Sequence, residues 1–153
     1  MTMMALTCSF FSNLQLNTLP PTVNTRMHAI IAFSSLPLFL GALLSDWAYY
    51  SNHQIQWLNF AAWLIAGGLL MAGPALLWAA VDMLLLPTHR HRSGLIYLTA
   101  LLATFVVGFI NALVHGKDGW ATMPTGLILS AVVVLLAVTA SAIGLAMTSR
   151  RTA

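Results

Sequence analysis

Glutamate is absent from this chain of 153 residues, and its formal charges are limited to six Lys or Arg and three Asp. A soluble domain commits about a quarter of its residues to charge in order to keep a hydrated surface. At 6% charged and 59% hydrophobic residues, a water-facing surface is excluded and lipid is the solvent that remains. Cysteine is nearly absent too: Cys8 is the single one, so no internal disulfide and no multi-cysteine metal site can form. The basic residues are too few and too scattered for a nucleic-acid surface, which needs them clustered on one face. Walker loops, zinc-protease motifs, nucleophile elbows and dinucleotide glycine fingerprints are also missing. No helix carries the charge run of a voltage sensor, and the length and inverted repeats typical of many secondary transporters are not seen.

What the chain has instead is long apolar runs. Four stretches, at about 29–50, 57–86, 94–115 and 122–147, each approach or exceed the roughly 20 residues that cross about 30 Å of hydrocarbon. None alternates with the period of two that a barrel strand requires, and lipid admits only helices or closed barrels. The connections Ser51–Gln56, Pro87–Ser93 and Gly116–Ala121 are short, which forces successive helices to run antiparallel. The expected fold is therefore all-α, a four-helix transmembrane up-down bundle over residues 29–148. An amino-terminal arm (1–28) and a short basic tail (149–153) flank it. Pro74, close to Gly67, Gly68 and Gly73, is expected to bend the second helix, and Pro37 the first. The arm lacks the basic start and continuous apolar middle of a cleaved secretory signal. Its Pro20-Pro21 pair suggests a loose or interfacial segment, and Met1, Met3, Met4 and Met27 each offer a start.

Charge placement reports orientation. Arg26, Arg90, Arg92, Arg150 and Arg151 fall on the side of both termini, and Lys117 alone on the other. The bias of Lys and Arg toward the cytoplasm places both termini there. Tyr49, Tyr50, Trp57 and Trp120 then form an aromatic belt at the outer interface. Within the bilayer, helices associate through small residues and interhelical hydrogen bonds. Ala100, Thr104, Gly108 and Ala112 make a small-residue stripe on the third helix, and Gly126, Ser130, Ala140 and Gly144 serve the fourth. Such stripes suit internal packing first and self-association into a homo-oligomer second.

Ionisable groups at membrane depth are costly, which makes them default functional candidates. The topology sorts them into two layers. His28, Asp82, His89 and His91 lie toward the cytoplasm; Asp46, His53, His115, Lys117 and Asp118 lie toward the outer face. His28 and His115 sit at opposite ends of antiparallel-linked spans, roughly 30 Å apart, and cannot share one iron. A haem would need His53 with His115, or His28 with His89 or His91. Asp82 is placed to accept hydrogen bonds from His28, Arg90 or Arg92, or to sit at the interface neutralised by the arginines. Asp46, between Ser45 and Trp47, fits an interfacial anchor. Asn111 and His115 are four apart and share a helix face, where they either bond locally or point together into the bundle. His89 and His91 lack the further ligands a metal site needs.

Several of these residues also carry a likeness. His28 and Phe33 open the first helix, Asp46 closes it, and Asp82 in WAAVDML ends a glycine-rich second helix. The stretch NALVHGKDGWATMPTGLILS holds Asn111, His115, Asp118, Trp120, Pro124 and Gly126 at the third-to-fourth helix junction. In these features the chain, over roughly 27–144, resembles the bacterial predicted-membrane-protein family catalogued as domain of unknown function 2231. It departs from the family at Ala29 and Ser34, where many members have proline. The resemblance implies a four-helix protein of the bacterial inner membrane and no particular reaction.

The absence of a catalytic constellation and of a soluble domain points to a non-enzymatic accessory or partner-binding membrane component. Asp46, His53, His115 and Asp118 would offer its docking face to a periplasmic partner. Two alternatives stay open. One is electron transfer through a bound haem or quinone, suggested by the five histidines. The other is an oligomeric small channel or transporter, suggested by Asp46 and Asp82.

Overall fold

A computed structural model describes residues 21–85, 92–117 and 119–152. They form α1 (Pro21–Asn52), α2 (Ile55–Leu85), α3 (Arg92–His115), the single turn α4 (Gly119–Thr122) and α5 (Thr125–Thr152). Four of these helices contain segments long and apolar enough to cross a membrane: Met27–Asn52, Ile55–Leu85, Arg92–His115 and Thr125–Met147. Among the described residues there is no strand, and the fold is the expected all-α four-helix bundle.

The element ends differ from the expected ones for local reasons. α1 begins at Pro21 rather than 29, so the last part of the expected loose arm is helical. Proline is well suited to a first helical position, where no amide bond is lost. The rest of the arm, residues 1–20 with the alternative starts Met1, Met3 and Met4, lies outside the described residues. The α1–α2 connection shrinks to His53 and Gln54. His53 adopts a left-handed φ of 58° and its amide donates to the Tyr49 carbonyl at 2.7 Å, the αL way of ending a helix. Asn52 Oδ1 then accepts from the Gln54 amide at 3.0 Å. The α2–α3 connection, with His89, Arg90 and His91, lies outside the described residues. The last span starts at Thr125 rather than 122, after α4, and runs through the expected tail to Thr152.

The buried positions share one rhythm. α2 buries Leu58, Ala61, Ile65, Gly68, Ala72 and Ala75, and α3 buries Tyr97, Leu101, Thr104, Gly108, Asn111 and His115. The steps alternate between three and four residues, and Ser130, Val133, Ala137 and Ala140 of α5 do the same. This average of about 3.5 is the repeat of left-handed helix packing. It also corrects the expected α3 stripe. Thr104 and Gly108 are in the seam, but Ala100 and Ala112 flank it, half-buried. A strict four-residue spacing drifts around a helix, whereas the seam must keep facing its partners.

α1 packs on α2, α2 on α3, α3 on α5 and α5 on α1. α1 and α3 are therefore diagonal partners running in the same direction. The bundle has a terminus end, holding the starts of α1 and α3, and a far end, holding their last turns. Phe39 fills the middle. A Cβ on Gly68 would fall 2.6 Å from its ring, so that glycine is needed for the ring to lie against α2, while one on Gly108 would stand in ordinary contact with it at 3.6 Å. Large apolar side chains such as Leu44, Trp63, Leu70 and Leu135 face outward, as lipid-facing residues do. Pro37 and Pro74 are also exposed, and the helices continue through both. Of the expected aromatic belt, Tyr50 and Trp57 are exposed but Tyr49 is buried in the bundle. The Trp120 side chain lies outside the described residues.

Candidate functional site: a closed polar ring at the far end

The last turns of α1 and α3 bring polar side chains inward. Along α1 the exposure of successive residues is 6% at Ser45, 0% at Asp46 and 64% at Trp47, so the carboxylate points to the bundle axis and the indole to lipid. His115 Nε2 lies 2.8 Å from Asp46 Oδ1. The other imidazole nitrogen, Nδ1, is 3.0 Å from the Asn111 carbonyl oxygen one turn earlier. A carbonyl only accepts, so Nδ1 carries a hydrogen and donates it. The Asn111 side-chain amide donates to Ser130 Oγ at 2.8 Å, and the Ser130 hydroxyl donates to Asp46 Oδ2 at 2.5 Å. The sequence of bonds leaves Asn111 through its side chain and returns to Asn111 through its backbone. It forms a ring that ties α1, α3 and α5.

Small residues make room for this ring. A Cβ on Gly126 would fall 3.0 Å from His115 Cε1 and 2.8 Å from the Thr122 methyl. The Thr122 hydroxyl donates to the Val114 carbonyl at 3.3 Å, which fastens α4 over the end of α3. All four ring members are buried. One ring atom remains unmatched: Asn111 Oδ1 is buried without a hydrogen-bond partner.

These positions revise two expectations. Asp46 is not an interfacial anchor, and neither Asp46 nor His115 presents its side chain on an outer docking face; both are enclosed. Both options for Asn111 and His115 are realised, since they bond locally and also point into the bundle. His53 is exposed and its ring lies tilted beside that of Tyr49, with centroids 6.3 Å apart. Asp118 lies outside the described residues.

A second polar contact closes the terminus end. His28 Nε2 and the Tyr97 hydroxyl share a hydrogen bond of 3.0 Å, and the His28 ring lies 5.9 Å from that of Trp78. Tyr97 in turn sits against α5, where a Cβ on Gly144 would fall 3.1 Å from the phenol ring. His28 Nδ1 is buried without a hydrogen-bond partner. Asp82 is half-buried on α2. Among the described residues no hydrogen bond or ion pair joins it to His28 or Arg92, and Arg90 lies outside them. His28 meets α3 at Tyr97 and Asp46 meets it at His115, about 27 Å apart along the helix. The expected separation of His28 from His115 therefore holds.

Chemically, the far-end ring is an interhelical tie rather than an open ligand set. Both His115 nitrogens are engaged, so that histidine offers no lone pair to an iron without breaking the ring. Among the described residues no three His, Cys, Asp or Glu side chains converge as metal ligands. Ser130 and Tyr97 were not legible as site residues. Ser130 looks like one more small residue in a stripe, and Tyr97 like an apolar-face aromatic. A signal does exist: His28–Tyr97 and Asp46–His115 have the same sequence separation, 69.

The model of the family described as "Predicted membrane protein (DUF2231)" matches residues 25–152. The chain belongs to this family. The DUF2231 match takes in all four long helices almost whole, together with the far-end ring and the His28–Tyr97 contact. No curated protein and no solved structure matches the chain.

Proposed function

We propose that this DUF2231 protein is a non-enzymatic accessory or partner-binding component of the bacterial inner membrane, with both termini in the cytoplasm. The observation that carries this reading is the closure of the Asp46–His115–Asn111–Ser130 ring. Three of its four hydrogen bonds join different helices and the fourth lies within α3, which suits a scaffold and leaves the donors of the ring engaged with one another. A partner would then be met on the outside of the bundle or at the far-end loops, where His53 and Lys117 are exposed. The orientation rests on Arg26, Arg90, Arg92, Arg150 and Arg151 at the terminus end against Lys117 at the far end, by the positive-inside bias.

The test is purification from native membranes after chemical cross-linking. A reproducible cross-linked membrane or periplasmic protein, with no visible-range haem absorption and no extractable quinone, is the expected result. A haem spectrum or a stoichiometric quinone would replace this reading with electron transfer. Ion flux through reconstituted oligomers would replace it with a channel. Reporter fusions at Lys117 and at the carboxyl terminus check orientation, with the reporter at Lys117 expected outside and that at the terminus inside.

A further inference from the structure

We propose that the far-end ring is a binding site for one exchangeable proton, and that release of this proton unlatches α1 from α3 and α5. The inference does not depend on the accessory role and rests on counting hydrogens.

The Asn111 carbonyl cannot donate, so the hydrogen between it and His115 belongs to Nδ1. The Asn111 amide donates to Ser130 Oγ, which leaves the single hydroxyl hydrogen of Ser130 for Asp46 Oδ2. The remaining contact, His115 Nε2 to Asp46 Oδ1 at 2.8 Å, needs a hydrogen of its own. A neutral imidazole already protonated at Nδ1 has only a lone pair at Nε2, and an ionised carboxylate has only lone pairs. Two such atoms repel at this distance. One further proton must therefore reside in the ring, either on Nε2 as an imidazolium–carboxylate pair or on Asp46 as a carboxylic acid facing a neutral imidazole. Both placements have zero net charge.

The surroundings give that proton its consequence. The two side chains are 1% and 0% exposed, and an uncompensated charge there is poorly tolerated. Among the described residues nothing nearby replaces the proton. α5 has no charged residue from Thr125 to Met147. α2 has only Asp82, toward the other end, and α3 has only Arg92, also at the other end. On α1 the neighbouring titratable group is the Tyr49 phenol, one turn on, and His53 and Lys117 are exposed beyond the helix ends. Loss of the proton leaves one negative charge and two opposed lone pairs at the point where three helices meet. The terminus end makes no such demand. There the Tyr97 hydroxyl supplies or accepts a hydrogen whichever tautomer His28 adopts. Exchange has a short route: His115 ends α3, and Gly116 and Lys117 are exposed, so fraying of that last turn passes the proton to water.

The test uses the full chain in lipid nanodiscs with isotope-labelled imidazole, read by nitrogen NMR and infrared spectroscopy. At neutral pH one of two signatures is expected. Either His115 is protonated on both nitrogens, or it is a neutral Nδ1–H tautomer accompanied by a protonated-carboxyl band that Asp46→Asn removes. Raising the pH is expected to release one proton per chain and to speed deuterium uptake in the backbone of residues 42–49. Asp46→Asn supplies an amide N–H to Nε2 and a carbonyl to Ser130 without the extra proton, so it should abolish this alkaline step. A neutral His115 beside an ionised Asp46 at neutral pH would overturn the proposal, as would an undiminished alkaline step in Asp46→Asn. The wild-type spectra decide the matter even if that variant does not fold.

Discussion

The ring of Phe39 reaches within 3.6 Å of where a Cβ on Gly108 would stand, and these two residues have the same sequence separation, 69, that joins His28 to Tyr97 and Asp46 to His115. The diagonal helices α1 and α3 therefore run parallel in one constant register, with polar contacts at both ends and an aromatic ring against a glycine between them. Ser35 and Thr104 repeat the relation. They line a small cavity of about 10 Å³ between α1, α3 and α5, and each donates its hydroxyl to its own helix. A shift of either helix along the other would break both end contacts at once.

The middle of the bundle depends on Gly68. A Cβ there would meet the Phe39 ring at 2.6 Å, so Gly68→Ala is expected to cost about 1–3 kcal/mol, the usual range for overpacking. Thermal unfolding in detergent measures it. Trimming the ring with Phe39→Leu in the same chain should recover part of the loss. At Gly108 a Cβ alone would stand 3.1 Å from the end of the Leu69 side chain, and the much larger side chain of Gly108→Leu should cost more.

Asp46 and His115 are expected to behave as a unit. His115→Gln leaves the carboxylate buried without the proton it shares, and breaking a buried pair in this way costs about 3–5 kcal/mol. The double substitution Asp46→Asn with His115→Gln keeps two neutral hydrogen-bonding amides and should be milder than His115→Gln alone. Additive losses in a double-mutant cycle would contradict the coupling.

Ser130 is both an acceptor and a donor in the ring. Ser130→Ala leaves the Asn111 amide and one Asp46 oxygen unmatched in a buried site, with an expected loss of about 1–3 kcal/mol. Alanine at the exposed Thr139, whose hydroxyl bonds only to its own helix at Leu135, is the control and should change stability little.

At the terminus end, Tyr97→Phe removes the hydroxyl from His28 while keeping the ring against Gly144. The expected loss is about 1 kcal/mol, that of one hydrogen bond. A changed His28 imidazole signal with an unchanged His115 signal would show that the two ends are independent.

Part of the site was legible in advance. Asp46, Asn111 and His115 stand out because ionisable and amide groups are rare in apolar runs, and the opposite-end placement of His28 and His115 followed from helix direction alone. Ser130 did not stand out, because hydroxyls are ordinary in membrane helices and only its neighbours reveal its bonds. Asp82, equally conspicuous in sequence, joins neither His28 nor Arg92 in a hydrogen bond among the described residues.

By itself the sequence determined the solvent, the number of spans and their alternation. Sparse charge, run length and short connections are local properties that need no knowledge of neighbours. Only the tertiary structure decided how each helix is turned. In water an amphipathic face announces which side is inward, but in lipid the inward and outward faces are both apolar. The rotation is fixed instead by contacts between helices: Phe39 against Gly68 and Gly108, Tyr97 against Gly144, and His115 against Gly126. Those contacts aim Asp46 inward while its neighbour Trp47 faces lipid, and they make an apparent interfacial acid the centre of a buried ring.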